Sequence, residues 1–128
     1  MRSKILLIDD EGFFTQQTSL ILENKGYDVM VASNGLDGIQ KAKSEDIDLI
    51  LLDLMLPGMN GYQICSLIKQ DDNFHHIPII IFTAHDSENV RELSTKCNAD
   101  YFYTKPVDII SLLQKMEELI KLKDQSTN

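Results

Sequence analysis

Residues 49–61 read LILLDLMLPGMNG and begin with an unbroken apolar run that ends at a carboxylate. The run Leu49 to Leu52 is short and shows no alternation of apolar and polar residues. Such runs are typical of strands that are covered on both faces, as in a parallel sheet. We therefore expect Asp53 at the carboxyl end of a buried strand.

Four further apolar runs predict four more buried strands, at Ile5 to Ile8, Val29 to Ala32, Ile77 to Phe82 and Tyr101 to Tyr103. Helical spacing of apolar residues separates the runs. The predicted stripes are Phe13, Phe14, Leu20 and Ile21; Leu36, Ile39 and Ala42; Ile64, Leu67 and Ile68; a weaker Val90, Leu93 and Cys97; and Ile109, Leu112, Leu113, Met116 and Ile120. Asp108 can cap the last helix, which we expect to end near Lys123.

Five strand and helix units in alternation predict an open, doubly wound α/β domain with right-handed crossovers. A length of 128 residues suits one domain. The balance of 12 basic and 20 acidic side chains, a net charge of -8, argues against direct nucleic acid or membrane binding. The absence of a signal-peptide core after Met1 predicts a cytoplasmic protein. Cys65 and Cys97 are interpreted as reduced packing residues.

Polar side chains follow four of the five predicted strands. They are Asp9, Asp10 and Glu11; Asp53; Thr83; and Thr104 and Lys105, which the apolar Pro106 follows. Binding sites of open α/β sheets lie at these carboxyl ends. Asp9 or Asp10 alone fits a helix cap. Together with Asp53 they form a cluster of three carboxylates, whose mutual repulsion is unfavourable unless a cation binds among them. Their oxygen donors favour Mg²⁺, with Mn²⁺ as the alternative.

These residues have the chemistry needed for phosphoryl transfer. Asp53 can attack phosphorus, and Lys105 can supply a fixed positive charge for the phosphoryl oxygens. A cis bond between Lys105 and Pro106 would aim the lysine inward. Thr83 offers a hydroxyl, although a helix cap or a plain strand end explains it equally well.

Four segments in this order resemble the motif set of response-regulator receiver domains. They are Ile8-Asp9-Asp10-Glu11, the segment from Asp53 to Gly61, Thr83-Ala84 and Lys105-Pro106. The resemblance covers residues 3–122. It implies a flavodoxin-like (βα)5 sheet in the order 2-1-3-4-5, a receiver domain over residues 1–123 and a polar tail over residues 124–128.

The resemblance also implies roles for individual residues. A histidine kinase or a histidine phosphotransfer protein would phosphorylate Asp53, with Asp10 and Asp53 as direct Mg²⁺ ligands, Asp9 acting through water and the Met55 carbonyl completing the set. Thr83 and Lys105 would contact the phosphoryl oxygens. Phe102 would be the switch aromatic, although a core role alone also explains it. A downstream partner would bind the fourth helix, fifth strand and fifth helix, and the domain would be a monomer or a phosphorylation-dependent dimer.

The leading interpretation is a signalling switch that is not an enzyme acting on a separate substrate. Three other functions are considered beside it. A scaffold receiver would keep the fold and lose the reaction. A hydrolase with an aspartyl-phosphate intermediate usually has an acid two residues after the nucleophile, where this chain has Met55. A flavin carrier would need a phosphate-binding loop where Asp9, Asp10 and Glu11 stand. Whether the domain is free-standing or joined to an effector is left open.

Some remaining residues affect the kinetics of the phosphoryl group or the geometry of a turn and do not change the family assignment. Met55 and His85 occupy positions that can influence the lifetime of the phosphoryl group. Asn98 suits a left-handed turn. The pair His75 and His76 lies in a polar segment, and we assign it no metal.

Overall fold

Strands and helices alternate along the chain as predicted. The computed structural model describes residues 2–84 and 88–126. The strands are β1 (Lys4–Ile8), β2 (Asp28–Ala32), β3 (Leu49–Asp53), β4 (Ile79–Thr83) and β5 (Tyr101–Thr104). The helices are α1 (Gly12–Asn24), α2 (Gly35–Ser44), α3 (Gly61–Lys69), α4 (Glu88–Lys96) and α5 (Ile109–Ser126).

The five strands form one parallel sheet in the order β2-β1-β3-β4-β5, which confirms the predicted topology. Strand β3 lies at the centre, with Ile8 of β1 opposite Leu52 and Phe82 of β4 opposite Asp53. Because all strands run the same way, the carboxyl ends of β1, β3 and β4 lie side by side. The candidate site forms at these carboxyl ends.

Each face of the sheet carries its own apolar core. Alternate strand residues such as Leu6, Ile50 and Ile81 belong to one cluster, which Ile64 and Ile68 of α3 help to cover. Their neighbours Leu7, Leu51 and Phe82 belong to the other, together with Leu22 of α1 and Leu112 and Met116 of α5. Two covered faces explain why β1, β3 and β4 contain no alternating polar residues.

The outer strands are less buried than predicted. Val31 of β2 and Tyr101 of β5 are both substantially exposed, whereas β3 and β4 are buried throughout. The difference follows from sheet order, because an edge strand has a neighbour on one side only. The prediction of five buried strands was therefore wrong for β2 and β5.

Helix α1 buries only part of the stripe that its apolar residues predict, since Phe14 and Ile21 are half-buried. Phe13 is 70% exposed and Leu20 is 62% exposed, while Thr15, Thr18 and Leu22 face the interior. Leu36 of α2 and Leu67 of α3 are exposed as well. A helix lying on a sheet covers it with a narrow stripe, and two threonines occupy that stripe here.

Helix α5 confirms its predicted stripe and cap but is longer than expected. Leu112, Met116 and Ile120 are buried, and the Asp108 carboxylate accepts the backbone N–H of Ile110 at 3.1 Å. The helix continues to Ser126, so residues 124–126 extend it instead of forming a tail. Polar, exposed side chains are compatible with a helix, and Thr127 and Asn128 lie outside the described residues.

Three smaller predictions can also be compared with the structure. Asn98 has a left-handed backbone with a φ of 66°, as predicted. Cys65 and Cys97 are buried free thiols, as predicted. Among the described residues, no helix is long and apolar enough to cross a membrane.

A partly buried ion pair joins α3 to the start of β5, with side-chain exposures of 9% for Lys69 and 32% for Asp100. The Lys69 ammonium lies 2.7 Å from the Asp100 carboxylate and donates to the carbonyl of Ile77 at 2.8 Å. The same carboxylate accepts the backbone N–H of Ile79 at 2.8 Å. The pair therefore ties α3 to the entry of both β4 and β5.

We predict that Lys69→Met lowers the free energy of unfolding by about 1–2 kcal/mol, because it removes the partner of the partly exposed Asp100 carboxylate and the donor to the Ile77 carbonyl. Urea denaturation followed by circular dichroism measures the loss. Lys96→Met is the matched control, since the pair of Lys96 with Glu92 is well exposed, and it should change the value by under about 0.5 kcal/mol. Equal losses in the two variants would contradict the prediction.

Candidate functional site

Asp9 is fixed at the end of β1 by its backbone and its side chain. Its N–H donates to the carbonyl of Ala32 at 3.0 Å, which continues the pairing of β1 with β2. Its carboxylate accepts the N–H of Glu11 at 2.9 Å. The residue is 1% exposed. Asp9 thus presents a buried, oriented carboxylate beside the start of α1.

Asp53 ends the central strand and is only 6% exposed. Its carboxylate accepts the N–H of Met55 at 3.3 Å. Helix α3 begins directly against it, because a Cβ at Gly61 would lie 2.7 Å from the Asp53 carbonyl oxygen. Only glycine permits this approach. A capping box between Asn60 and Gln63 holds the first turn of α3 in place.

Asp9, Asp10 and Asp53 converge at this edge of the sheet as predicted. Each offers a carboxylate oxygen, and the three oxygens lie within 4.8 Å of one another. Asp10 is exposed, so the cluster is open to solvent on one side. Hard oxygen donors in this arrangement suit Mg²⁺, which keeps several waters and takes few protein carboxylates. The donor set therefore fits the predicted ion.

Lys105 extends into the cluster from the loop after β5. Its ammonium lies 3.0 Å from the Asp9 carboxylate and 3.8 Å from that of Asp53. The predicted cis peptide bond between Lys105 and Pro106 is confirmed. The Lys105 backbone N–H donates to the carbonyl of Thr83 at 2.7 Å. A cation is thus held beside the buried carboxylates by the ends of β4 and β5.

The charges at the site shift the pKa of two groups. Burial and, next to it, the charge of Asp9 raise the pKa of Asp53 from its ordinary 3.8 to about 6, although Lys105 and the hydrogen bond from the Met55 N–H oppose the shift. Burial lowers the pKa of Lys105, but the hydrogen bond to Asp9 and the charges of Asp53, Asp9 and Glu11 outweigh it and leave the value raised. The carboxylate repulsion in the cluster is only partly compensated by Lys105.

Thr83 and Phe102 lie on the neighbouring strands β4 and β5. Thr83 is fully buried at the end of β4 and pairs in register with Thr104. Phe102 is half-buried and packs against the apolar cluster below the sheet, with the Arg91 guanidinium 5.5 Å from its ring centroid. The core interpretation of Phe102 therefore holds, and its switch role stays a prediction.

Two further residues contact the Lys105 ammonium, and neither is among the site residues that the sequence predicts. Glu11 was grouped with the strand-end acids, and its carboxylate lies 3.4 Å from the Lys105 ammonium. Phe14 was assigned to a core stripe, and its ring centroid lies 4.2 Å from the same ammonium. No local pattern indicates the Phe14 contact, because the two residues meet only after β1 and β5 have joined the sheet.

The remaining candidate residues lie elsewhere. His75 and His76 precede β4 and so lie at the amino ends of the strands, whereas Asp53 lies at a carboxyl end. Met55 has an exposed side chain, and its backbone lies beside the Asp53 carboxylate. His85 lies outside the described residues.

Known proteins resemble this chain over most of its length. The profile of the response regulator receiver domain family matches residues 5–117. Response regulator ArlR of Staphylococcus saprophyticus is 38% identical over 96% of this chain, which spans 54% of that relative. Protein PilH of Pseudomonas aeruginosa is 33% identical over 92% of this chain and 98% of its own length. The chain thus spans about half of ArlR and nearly all of PilH.

The fold agrees with a solved structure of the same kind. A CheY-like response regulator receiver domain protein from Methanospirillum hungatei superimposes with a TM-score of 0.91 at 28% identity, and the match covers 98% of this chain and 99% of that one. The strand order, the acidic cluster and the sequence matches agree. The chain belongs to the response regulator receiver domain family.

Proposed function

We propose that this domain is a phosphorylation-controlled switch of a two-component or phosphorelay pathway, in which Asp53 accepts the phosphoryl group in a Mg²⁺-dependent reaction. The donor is a phosphohistidine of a histidine kinase or of a histidine phosphotransfer protein. The observation that carries the proposal is a buried carboxylate, Asp53, held between Lys105 and two further carboxylates. With a donor of this kind, the domain would act in the cytoplasm.

In the proposed transfer, an Asp53 carboxylate oxygen attacks phosphorus in line with the bond to the donor imidazole. The new P–O bond forms as the P–N bond breaks, and the imidazole keeps the electron pair. Lys105 and the Thr83 hydroxyl stabilise the negative charge on the phosphoryl oxygens. Lys105 already lies within 3.8 Å of Asp53, so a small movement brings it to the phosphoryl group.

The ion would be held by Asp10 and Asp53, with Asp9 acting through water and the Met55 carbonyl as a further ligand. When bound, Mg²⁺ neutralises charge on the phosphoryl oxygens and on the acidic cluster. The exposed position of Asp10 leaves this side of the cluster accessible to a donor.

The proposed output is a change in packing around Phe102. Thr83 and Phe102 lie on adjacent strands, so movement of Thr83 toward the phosphoryl group opens space for the aromatic ring to pack inward. A groove of about 460 Å³ beside Phe102, lined by Arg91, Thr95 and Tyr101 among others, would change shape with it. A downstream protein partner, or a second copy in a phosphorylation-dependent dimer, would bind the face formed by α4, β5 and α5.

The domain would catalyse only its own phosphorylation and dephosphorylation. A hydrolase needs an acid or base next to the acceptor, and the position two residues after Asp53 carries Met55, whose side chain is exposed. This feature supports a switch over an enzyme acting on a separate substrate.

Incubation with acetyl phosphate and Mg²⁺ should add one phosphoryl group, because a small acyl phosphate can replace the protein donor. Intact mass spectrometry measures the gain. No phosphorylated product should form when Mg²⁺ is chelated before acetyl phosphate is added. Asp53→Asn should abolish it, whereas Asp72→Asn, an exposed acid in the loop after α3, should leave it unchanged. No gain in a folded protein with either acetyl phosphate or a phosphorylated kinase would indicate a scaffold receiver.

Without divalent ions, Asp53 should lower stability in a pH-dependent way. Its folded pKa is raised, so the folded state binds a proton more tightly than the unfolded chain, and the free energy of unfolding falls as pH rises from about 4 to about 6. Asp53→Asn should remove this slope and raise the free energy of unfolding at pH 7 by roughly 1–3 kcal/mol. Urea denaturation at several pH values tests this, and a variant less stable than the wild type at pH 7 would contradict it.

Phosphorylation should change the environment of residues far from Asp53 if the switch operates. We expect the largest backbone amide shift changes in α4 and β5, including Phe102, and small ones in β2, which lies at the other edge of the sheet. Two-dimensional NMR with and without acetyl phosphate measures them, and Asp53→Asn is the control. Changes confined to residues next to Asp53 would argue against the proposed output.

A further inference from the structure

The Phe14 side chain faces the ammonium of Lys105. The ring centroid lies 4.2 Å from Nζ, well within the range of a cation–π interaction. Phe14 is half-buried, and the Lys105 side chain is 15% exposed. The pair is thus largely shielded from solvent, which strengthens the attraction between the cation and the ring face.

The position of the ring is itself fixed by the core. Phe14 packs edge-to-face on Phe82, with centroids 5.8 Å apart and an interplanar angle of 80°. Phe82 is fully buried on β4 and lies opposite Asp53 in the sheet register. The orientation of Phe14 is therefore set by the same strands that position the acceptor.

The carboxylates around Lys105 differ in their exposure to solvent. Asp9 and Asp53 are buried, whereas the Glu11 side chain is 60% exposed and lies 3.4 Å from the ammonium. Glu11 therefore offers the ammonium a solvent-exposed ion-pair partner as an alternative to the two buried acids. The ring of Phe14 attracts the ammonium without adding a negative charge that would repel an incoming phosphoryl group.

We propose that Phe14 is a positioning residue for Lys105, whose ring face keeps the ammonium beside Asp9 and Asp53 and within reach of the phosphoryl oxygens. The inference rests on the proposed phosphorylation of Asp53. Because the ring is uncharged and offers a broad face, the ammonium can move from Asp9 toward the phosphoryl group without breaking an ion pair to Phe14. The ring thus keeps the Lys105 ammonium near Asp9 and Asp53 while leaving that movement free.

The sharpest test replaces Phe14 by 3,4,5-trifluorophenylalanine, which keeps the apolar shape of the ring and removes the negative potential of its face. We expect phosphorylation by acetyl phosphate to slow by about three- to tenfold, with the urea midpoint unchanged. Phe14→Leu should slow the reaction to a similar extent, and Phe14→Tyr, which retains an aromatic face, should restore a rate near that of the wild type. Phe13→Leu is the matched control, because Phe13 is exposed at the adjacent position, and it should leave the rate unchanged.

A second readout does not depend on the reaction. The Cε protons of Lys105 should show an upfield ring-current shift in the wild type that disappears in Phe14→Leu. Wild-type rates in the trifluoro variant would overturn the proposal, since the ring would then serve only in packing. A wild-type protein that takes up no phosphoryl group would contradict the proposed function instead, and the presence or absence of the ring-current shift would still decide whether Phe14 holds the ammonium.

Discussion

The contact of the Lys105 ammonium with the buried Asp9 carboxylate is the interaction on which the site depends. It joins the loop after β5 to the end of β1, although β3 and β4 lie between these strands in the sheet. It also places a positive charge beside Asp53, where burial and the Asp9 charge disfavour the carboxylate. Without that cation, two buried acids would share one edge of the sheet with no compensating charge.

The apolar clusters on the two faces of the sheet stabilise the fold enough to tolerate this arrangement of charges. Strands β3 and β4 are buried along their whole length, and Asp53 and Thr83 are their last residues. The acidic cluster costs stability, and the two apolar clusters offset that cost. A site held this rigidly can convert the arrival of one phosphoryl group into a change of packing elsewhere.

Close backbone approaches complete the site. Gly61 lets α3 begin against the Asp53 carbonyl, and Gly38 lets α2 approach Ile8 near the end of β1, where a Cβ would lie 2.7 Å from the Ile8 side chain. These contacts limit the space in which the loops after β1 and β3 can move. Phe14 adds to them from α1, since its ring contacts both the core aromatic Phe82 and the ammonium of Lys105.

The sequence by itself determined the order of strands and helices, the fold class and the acids, threonine and lysine at the strand ends, because short apolar runs and their polar termini are local patterns. Only the tertiary structure decided which apolar residues are covered. Phe13 and Leu20 fit a helical stripe yet face solvent, and Val31 and Tyr101 lie on edge strands. It also decided the contacts of Glu11 and Phe14 with Lys105, since side chains far apart in the chain meet only when the parallel register brings the strand ends together.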